Sequence, residues 1–271
     1  METKTFATFL NGGGCEYLPG VVALARSLRQ TGAKAPLTVF SDDALNERAA
    51  KTLRMLDVEV VLLPKVEVPS GVLAMNEASG FSHWNRTFSK LQVFSQTRWD
   101  KIVLLDSDMM VVRNIDELFE RSHMSAVVAG RCVHPDWIDL NSGLVVIEPE
   151  EGLTSKMLEV LRRLDDVTLS EYRALGDQDV VQMMYPDWPE MSKLHLDEGF
   201  NMFSDALLDY LAQGHKLEKV KVIHFEMNPK PWDYTAAQWL RVYARALRHR
   251  SFEEARLLHK YRSLANAQAI L

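Results

Sequence analysis

Ile102-Val103-Leu104-Leu105-Asp106-Ser107-Asp108 is an apolar run that ends abruptly in two carboxylates one residue apart. The aliphatic part reads as a buried strand, and strand side chains alternate, so residues two apart share a face. Asp106 and Asp108 at the mouth of that strand would converge on one small volume. Two anions held that close need a cation. Hard oxygen ligands suit Mg²⁺ or Mn²⁺, which bind through one or two carboxylates completed by substrate phosphates. The stretch predicts a metal–phosphate site at the carboxyl end of a sheet.

Strand-like and helix-like segments alternate on either side of it. Phe6 to Leu10 reads as a strand. Pro19 and Gly20 then lead into a helix through Leu28 that Gly32 stops. Leu37 to Phe40 is a second strand, Ser41 or Asp42 N-caps a helix through Met55, and Val58 to Leu63 is a third strand closed by Pro64. This βαβαβ opening implies a parallel sheet with helices on both faces, whose ligands bind beyond the strand ends where Asp106 sits. Lys65 to Trp84, rich in Pro, Gly, Ser and Asn, reads as a long loop of the kind that is uncommon unless functional. Helices follow at Thr87 to Arg98, Ile115 to Phe119, Leu153 to Leu164 and Gln178 to Tyr185, with strands at Val127 to Ala129, Leu144 to Ile147 and Val220 to His224. From Ala236 onward the pattern is helical, broken near Ser251. There Arg241, Arg245, Arg248, Arg250, Arg256, Lys260 and Arg262 outnumber Glu253 and Glu254.

Composition bounds the class. With 271 residues, 47% hydrophobic and 25% charged, the chain has the make-up of a globular enzyme, in one large α/β domain or two small ones. No apolar run approaches the roughly 20 residues a bilayer span needs. The start, Met-Glu-Thr-Lys, lacks the features of a signal peptide, so a cytoplasmic location is expected. Two cysteines, Cys15 and Cys132, without a C-x-x-C pattern argue against a disulfide framework or structural zinc, leaving carboxylate and histidine as metal ligands. A net charge of −6 argues against nucleic acid as a partner.

Four further segments carry chemistry. Asn141-Ser142-Gly143 places an amide and a glycine at a strand start. Gly176-Asp177-Gln178-Asp179 opens a helix, where acids suit the N-terminus on structural grounds alone; that explains the acids and not the Gln. His224 ends a Val-Ile strand, and Pro229-Lys230-Pro231-Trp232 follows in a turn.

In order and chemistry these segments resemble family 8 of the glycosyltransferases, the glycogenin and galactinol synthase group, over roughly Thr3 to Tyr234. The resemblance rests on Phe88-Ser89-Lys90-Leu91, Leu105-Asp106-Ser107-Asp108 with Asn114-Ile115-Asp116-Glu117-Leu118-Phe119, Asn141-Ser142-Gly143, Gly176-Asp177-Gln178, Gly199-Phe200-Asn201 and Val222-Ile223-His224-Phe225 with Lys230-Pro231-Trp232. It implies a GT-A type, Rossmann-like α/β/α sandwich with a mixed, mainly parallel sheet over residues 1–234, followed by a helical extension over 235–271. It also implies a UDP-sugar donor, UDP-glucose or UDP-galactose, and Mn²⁺ or Mg²⁺ held by Asp106, Asp108 and His224. By the same resemblance, Lys230 holds the departing diphosphate, and Asn141, Asp177 and Gln178 face the donor sugar. Lys90 and Arg86 contact sugar or phosphate, and Ser107 lies near the ribose. The loop from Leu10 through Asn11 to Tyr17 receives uridine, with Tyr17 stacking on the base. Asn11-Gly12-Gly13-Gly14-Cys15 is longer and richer in glycine than its glycogenin counterpart.

Family membership implies transfer with retention of configuration to an unknown acceptor, a sugar, polyol, lipid-linked glycan or protein. With no second carboxylate pair in the sequence, internal return is expected: UDP leaves, the acceptor attacks the same face, and a UDP oxygen takes the proton. Covalent catalysis by Asp177 or Gln178 is the competing route. Tyr210 lies near the segment that bears glycogenin's acceptor tyrosine, so self-glucosylation enters as an expectation. Among rival classes, a haloacid-dehalogenase-type phosphatase shares the D-x-D, but its G-D-x-x-x-D element fails at Val181. A G-x-G-x-x-G dinucleotide fingerprint fails at Tyr17. A non-catalytic sugar-nucleotide module would need a broken site. The basic C-terminal segment suits an amphipathic helix on an anionic membrane, or one packed on the catalytic domain or a second subunit.

Overall fold

The computed structural model describes residues 2–12 and 16–266, so Gly13, Gly14 and Cys15 of the expected uridine loop lie outside the described residues. In chain order the strands are β1 Lys4–Phe9, β2 Leu37–Ser41, β3 Glu59–Leu62, β4 Lys101–Leu105, β5 Met109–Val111, β6 Ala126–Val127, β7 Asn141–Ile147, β8 His195–Leu196, β9 Met202–Phe203 and β10 Val222–His224. The α-helices are α1 Leu18–Gln30, α2 Glu47–Met55, α3 Ser70–Ala78, α4 Leu153–Arg162, α5 Asp166–Leu169, α6 Asp177–Met184, α7 Leu207–Ala212, α8 Ala236–His249 and α9 Glu253–Ala265.

Seven strands form one sheet in the order β3-β2-β1-β4-β7-β6-β8. The first four of these pair in parallel; β7 runs antiparallel to β4 and to β6, and β8 parallel to β6. β4 is buried on both faces, which is why its sequence is a continuous apolar run and not an alternating one. Val103 and Leu105 face a core built with α1 and α2, while Ile102 and Leu104 face the opposite core with Phe88, Leu91 and Val180. A smaller sheet, β5-β10-β9, sits at the carboxyl end of β4. It shares a third core with Val242 of α8 and Leu258, Tyr261 and Leu264 of α9.

Several local expectations change. α2 is capped by Asn46, whose side chain accepts from the Ala49 N–H at 2.9 Å. Ser41 belongs instead to β2 and Asp42 accepts from Ser89 Oγ, so the helix starts later than expected. The stretch read as a loop after Lys65 contains α3, which buries Val72 and Asn76. The helix read over Thr87 to Arg98 is a chain of 3-10 turns spanning Ser82–Ser95 that buries Phe88 through Phe94. Ile115 to Phe119 is likewise 3-10 geometry over Asp116–Glu120, and the strand read through Ala129 pairs only at Ala126–Val127. Apolar spacing does not separate 3-10 from α hydrogen bonding over Ser82–Ser95, and Asp116–Glu120 and Ala126–Val127 are too short to carry a period. Among the described residues, no helix is long and apolar enough to cross a membrane.

Candidate active site

The site assembles at the mouth of β4. The Asp106 N–H donates to Gly143 O at 2.8 Å, adding a bond beyond the β4–β7 ladder, and Ser107-Asp108 then form a turn into β5. β5 runs antiparallel to β10 with Met109 opposite His224, and the Phe225 N–H donates to Asp108 O at 3.0 Å. The carboxylates therefore converge through a turn and an antiparallel register. Alternation along one strand, the expected cause, does not operate, because β4 ends at Leu105.

Candidate ligand atoms of Asp106, Asp108 and His224 lie within 4.8 Å of one another. His224 Nε2 stands 3.2 Å from Asp108 Oδ1 and 3.8 Å from Asp106 Oδ2. The other ring nitrogen is fixed by a chain of amides. The Gly143 N–H can only donate, so the Asn141 atom that meets it at 2.9 Å is Oδ1. That oxygen also accepts from Asn201 Nδ2 at 2.8 Å, which turns Asn201 Oδ1 toward His224 Nδ1 at 3.0 Å. Nδ1 thus carries a proton and Nε2 faces the two carboxylates. Two carboxylates and an imidazole oriented through its second nitrogen fit a divalent ion. The cradle is tight: a Cβ on Gly143 would stand 2.8 Å from His224 Cε1 and 2.8 Å from Asn141 Oδ1.

Two buried lysines flank this cluster. Lys230 Nζ donates to Asp108 Oδ2 at 2.7 Å, Phe225 O at 2.8 Å and Glu226 O at 2.9 Å, so all three of its protons are engaged. Lys90 Nζ lies 2.9 Å from Asp106 Oδ1 and 2.8 Å from Asp177 Oδ2, and also meets Ser142 Oγ and O. At Asp108, Lys90 and His224 burial works against charge, and the neighbours outweigh it. Asp108 is held well below the usual carboxylate range because His224 and Lys230 override its desolvation. Lys90 is raised because Asp106 and Asp177 override its own. His224 is raised likewise by Asp108 and Asp106.

On the far side of Lys90, the start of α6 divides its acids between two tasks. Asp179 accepts from the Gly176 N–H at 2.7 Å and serves the helix start. Burial, with repulsion from Asp177 beside it, pushes its carboxyl up to about 6. Asp177 points into the site and accepts from Ser142 Oγ at 2.9 Å, while its own N–H donates to Thr87 Oγ1. Gln178 Oε1 accepts from the Ser142 N–H at 3.0 Å. Asp106, Lys90, Ser142, Asp177 and Gln178 thus form one connected polar floor beside the carboxylate–histidine cluster, with Asn141 next to it in the chain of amides that reaches His224.

The remaining expected residues divide. Tyr17, which N-caps α1, sets its ring 5.7 Å from Lys230 Nζ and edge-on to Trp232 at 6.0 Å. Burial first, then Asp108, Glu16 and Asp106, pushes its hydroxyl up to about 12. Ser107 turns its carbonyl against α1, where a Cβ on Gly20 would collide with it. Arg86 is exposed and lies beside Gly12, whose φ of +62° suits glycine. The Leu10 side chain is buried in the core, whereas Asn11 Oδ1 is buried with no hydrogen-bond partner among the described residues. Tyr210 is buried on α7 and stacked on His215 at 4.2 Å, so it offers no exposed acceptor ring. Asn201, Ser142, Thr87 and Gly20 carry site geometry that the sequence reading did not assign. Ser142 sits between Asn141 and Gly143 at a strand start, a polar setting that points to it, whereas Asn201 between Phe200 and Met202 carries no such local signal.

The mixed, mainly parallel sheet between helices, with the Asp106–Asp108–His224 cluster at its mouth, is a fold of the GT-A type. Residues 12–236 match the model for "Glycosyl transferase family 8", and the chain belongs to that family. It is 31% identical over 246 residues to inositol phosphorylceramide glucuronosyltransferase 1 of Arabidopsis thaliana, a match covering 84% of this chain and 42% of that protein. It is 29% identical over 240 residues to glycogenin-1 of Oryctolagus cuniculus, covering 87% of this chain and 67% of the relative. Among solved structures, the glycosyltransferase GlyE of Streptococcus pneumoniae TIGR4 superposes with a TM-score of 0.58 at 15% identity, over 100% of this chain and 63% of that one. That likeness supports the fold. The family match leaves the phosphatase and dinucleotide alternatives without support.

Proposed function

We propose that residues 1–234 catalyse retaining transfer of a hexose from a UDP-sugar to an acceptor hydroxyl. The helices beyond them would form an extension of the catalytic unit. One observation carries the reading: Asp106, Asp108 and His224 present ligand atoms within 4.8 Å of one another, with the Lys230 ammonium 2.7 Å from Asp108. A divalent ion bound by those three residues, Mn²⁺ or Mg²⁺, supplies positive charge to the diphosphate of the leaving UDP.

Lys230 provides the second cation. With Asp108 engaged by an ion, the Lys230 ammonium would stay anchored on Phe225 O and Glu226 O and would offer its third proton to a phosphate oxygen. Fixed charge aimed at a leaving group is typically the largest catalytic contribution. Asn141, Asp177 and Gln178 orient the donor sugar, with Lys90 holding Asp177 and Asp106 in register. Arg86 and Ser107 border the donor, and Leu10, Asn11 and Tyr17 border the nucleoside.

Asp177 Oδ2 is held by both Lys90 and Ser142, which fixes the carboxylate on the polar floor as an orienting group. Internal return fits that arrangement. The C1–O bond to UDP breaks, the acceptor oxygen bonds C1 on the same face, and its proton passes to a phosphate oxygen of UDP. Names of the relatives cover glucuronosyl transfer as well as glycogenin, so UDP-glucose, UDP-galactose and UDP-glucuronic acid form the first donor panel. Release of UDP on addition of Mn²⁺, without cleavage of phosphomonoesters, is expected. No turnover of any UDP-sugar in the presence of Mn²⁺ or Mg²⁺ would refute the reading.

A further inference from the structure

α8 buries Val242 and Ala246 and turns its opposite face to solvent. On that face Leu240 is 70% exposed and Leu247 67%, while Tyr243, 38% exposed, flanks them with its hydroxyl 2.7 Å from His259 Nε2 of α9. At 3.6 residues per turn these three fall within an arc of about 60°, so they form one apolar stripe and not scattered surface residues. Arg241 and Arg248, both exposed, border it about a quarter-turn away. Exposed Arg250 and Phe252, 53% exposed, continue the pattern just past the helix. From Tyr234 to Phe252 there is no acidic residue, in a chain whose net charge is −6. Arg245 alone turns inward, toward Glu254 of α9.

A second copy is a poor occupant for this face. Two-fold pairing would set Arg241 and Arg248 against their own duplicates, and α8 has no carboxylate to meet them. Leucines on one side with arginines beside them match instead a surface that is apolar within and anionic at its rim. We propose that the outer face of α8 docks on an anionic bilayer. Leu240 and Leu247 enter the boundary between headgroups and acyl chains, with Tyr243 held at their flank by His259, and Arg241, Arg248 and Arg250 meet lipid phosphates. Because α8 starts directly after the Lys230-Pro231-Trp232 turn, docking would hold the catalytic unit close to the membrane plane.

The full chain would be sedimented with phosphatidylcholine vesicles and with vesicles in which about a third of the lipid is phosphatidylglycerol. Binding to the anionic vesicles alone, weakening as salt rises, is expected. The Leu240→Gln/Leu247→Gln double variant should lose roughly tenfold or more per leucine, and Arg241→Gln/Arg248→Gln about fivefold per arginine. All four side chains are exposed, so thermal unfolding should match the parent. Equal binding to both vesicle types, or full binding by the leucine variant, would overturn the proposal. So would absence of vesicle binding together with a dimer that the leucine variant abolishes. Partition is read without donor or acceptor, so its failure is separate from failure of the transfer reading.

Discussion

Asn201 Oδ1 accepts the Nδ1 proton of His224 at 3.0 Å, in a position with no exposure to solvent. A partner of this kind fixes both the tautomer and the orientation of a ligating imidazole, and its loss typically costs 10–100-fold in metal affinity. Asn201→Ala is therefore expected to weaken Mn²⁺ binding by about that factor while leaving both carboxylates in place. Titration of the purified protein with Mn²⁺ by calorimetry gives the number. Parental affinity in the variant would remove Asn201 from the metal site.

Lys230 lends itself to a two-sided test, because its ammonium competes with any cation for Asp108 Oδ2. In Lys230→Met the carboxylate loses a rival and the leaving diphosphate loses a counter-charge. Mn²⁺ affinity should hold or rise, and the rate of UDP release should fall by about 10²–10³, the usual consequence of removing one such stabiliser. A fall in both quantities together would instead make Lys230 a structural prop for Asp108.

How far these relationships could be read in advance depends on their range along the chain. The β4 run and its two aspartates are legible because burial on both faces writes a continuous apolar stretch, whereas His224 and Lys230 take their roles in the sequence from the family resemblance. The reason for convergence was not legible. It lies in the pairing of Met109 with His224, two residues more than 100 positions apart, in strands of three residues each. Strands that short carry no periodic signal. Asp177 is assigned by the resemblance alone for another reason: an acid at a helix start explains itself locally, and it is Lys90, reached through the fold, that separates it from Asp179.

Gly20 shows the same limit and gives a stability test. In sequence it merely opens a helix with Pro19, where Gly→Ala would be expected to gain about 0.5–1 kcal/mol from propensity. In the structure a Cβ there runs into the backbone carbonyl of Ser107, inside the turn that carries Asp108. Overpacking against backbone commonly costs about 1–3 kcal/mol, so the steric effect should win. Gly20→Ala is expected to lower the thermal midpoint and to weaken Mn²⁺ binding with it. A higher midpoint would mean that α1 moves away from the turn without penalty.

Glu254 provides the pH test. It is buried on α9, with Arg245 Nε 3.4 Å from its Oε2 in a geometry that makes no hydrogen bond. Burial, reinforced by Asp205 and Asp209 and opposed by Arg245, pushes its carboxyl from an ordinary 4.5 up to about 7. A folded-state value above the unfolded one means that the protonated form is favoured by folding. This contribution to stability is complete below the unfolded value and is lost as pH rises from 4.5 through about 7. Glu254→Gln removes the titration and keeps the shape. The variant should match the parent in mild acid and exceed it on the alkaline side of neutrality, by roughly 1–3 kcal/mol. Denaturant midpoints for both proteins across that range decide it, and a difference that does not change with pH would show that Arg245 already neutralises the buried carboxylate.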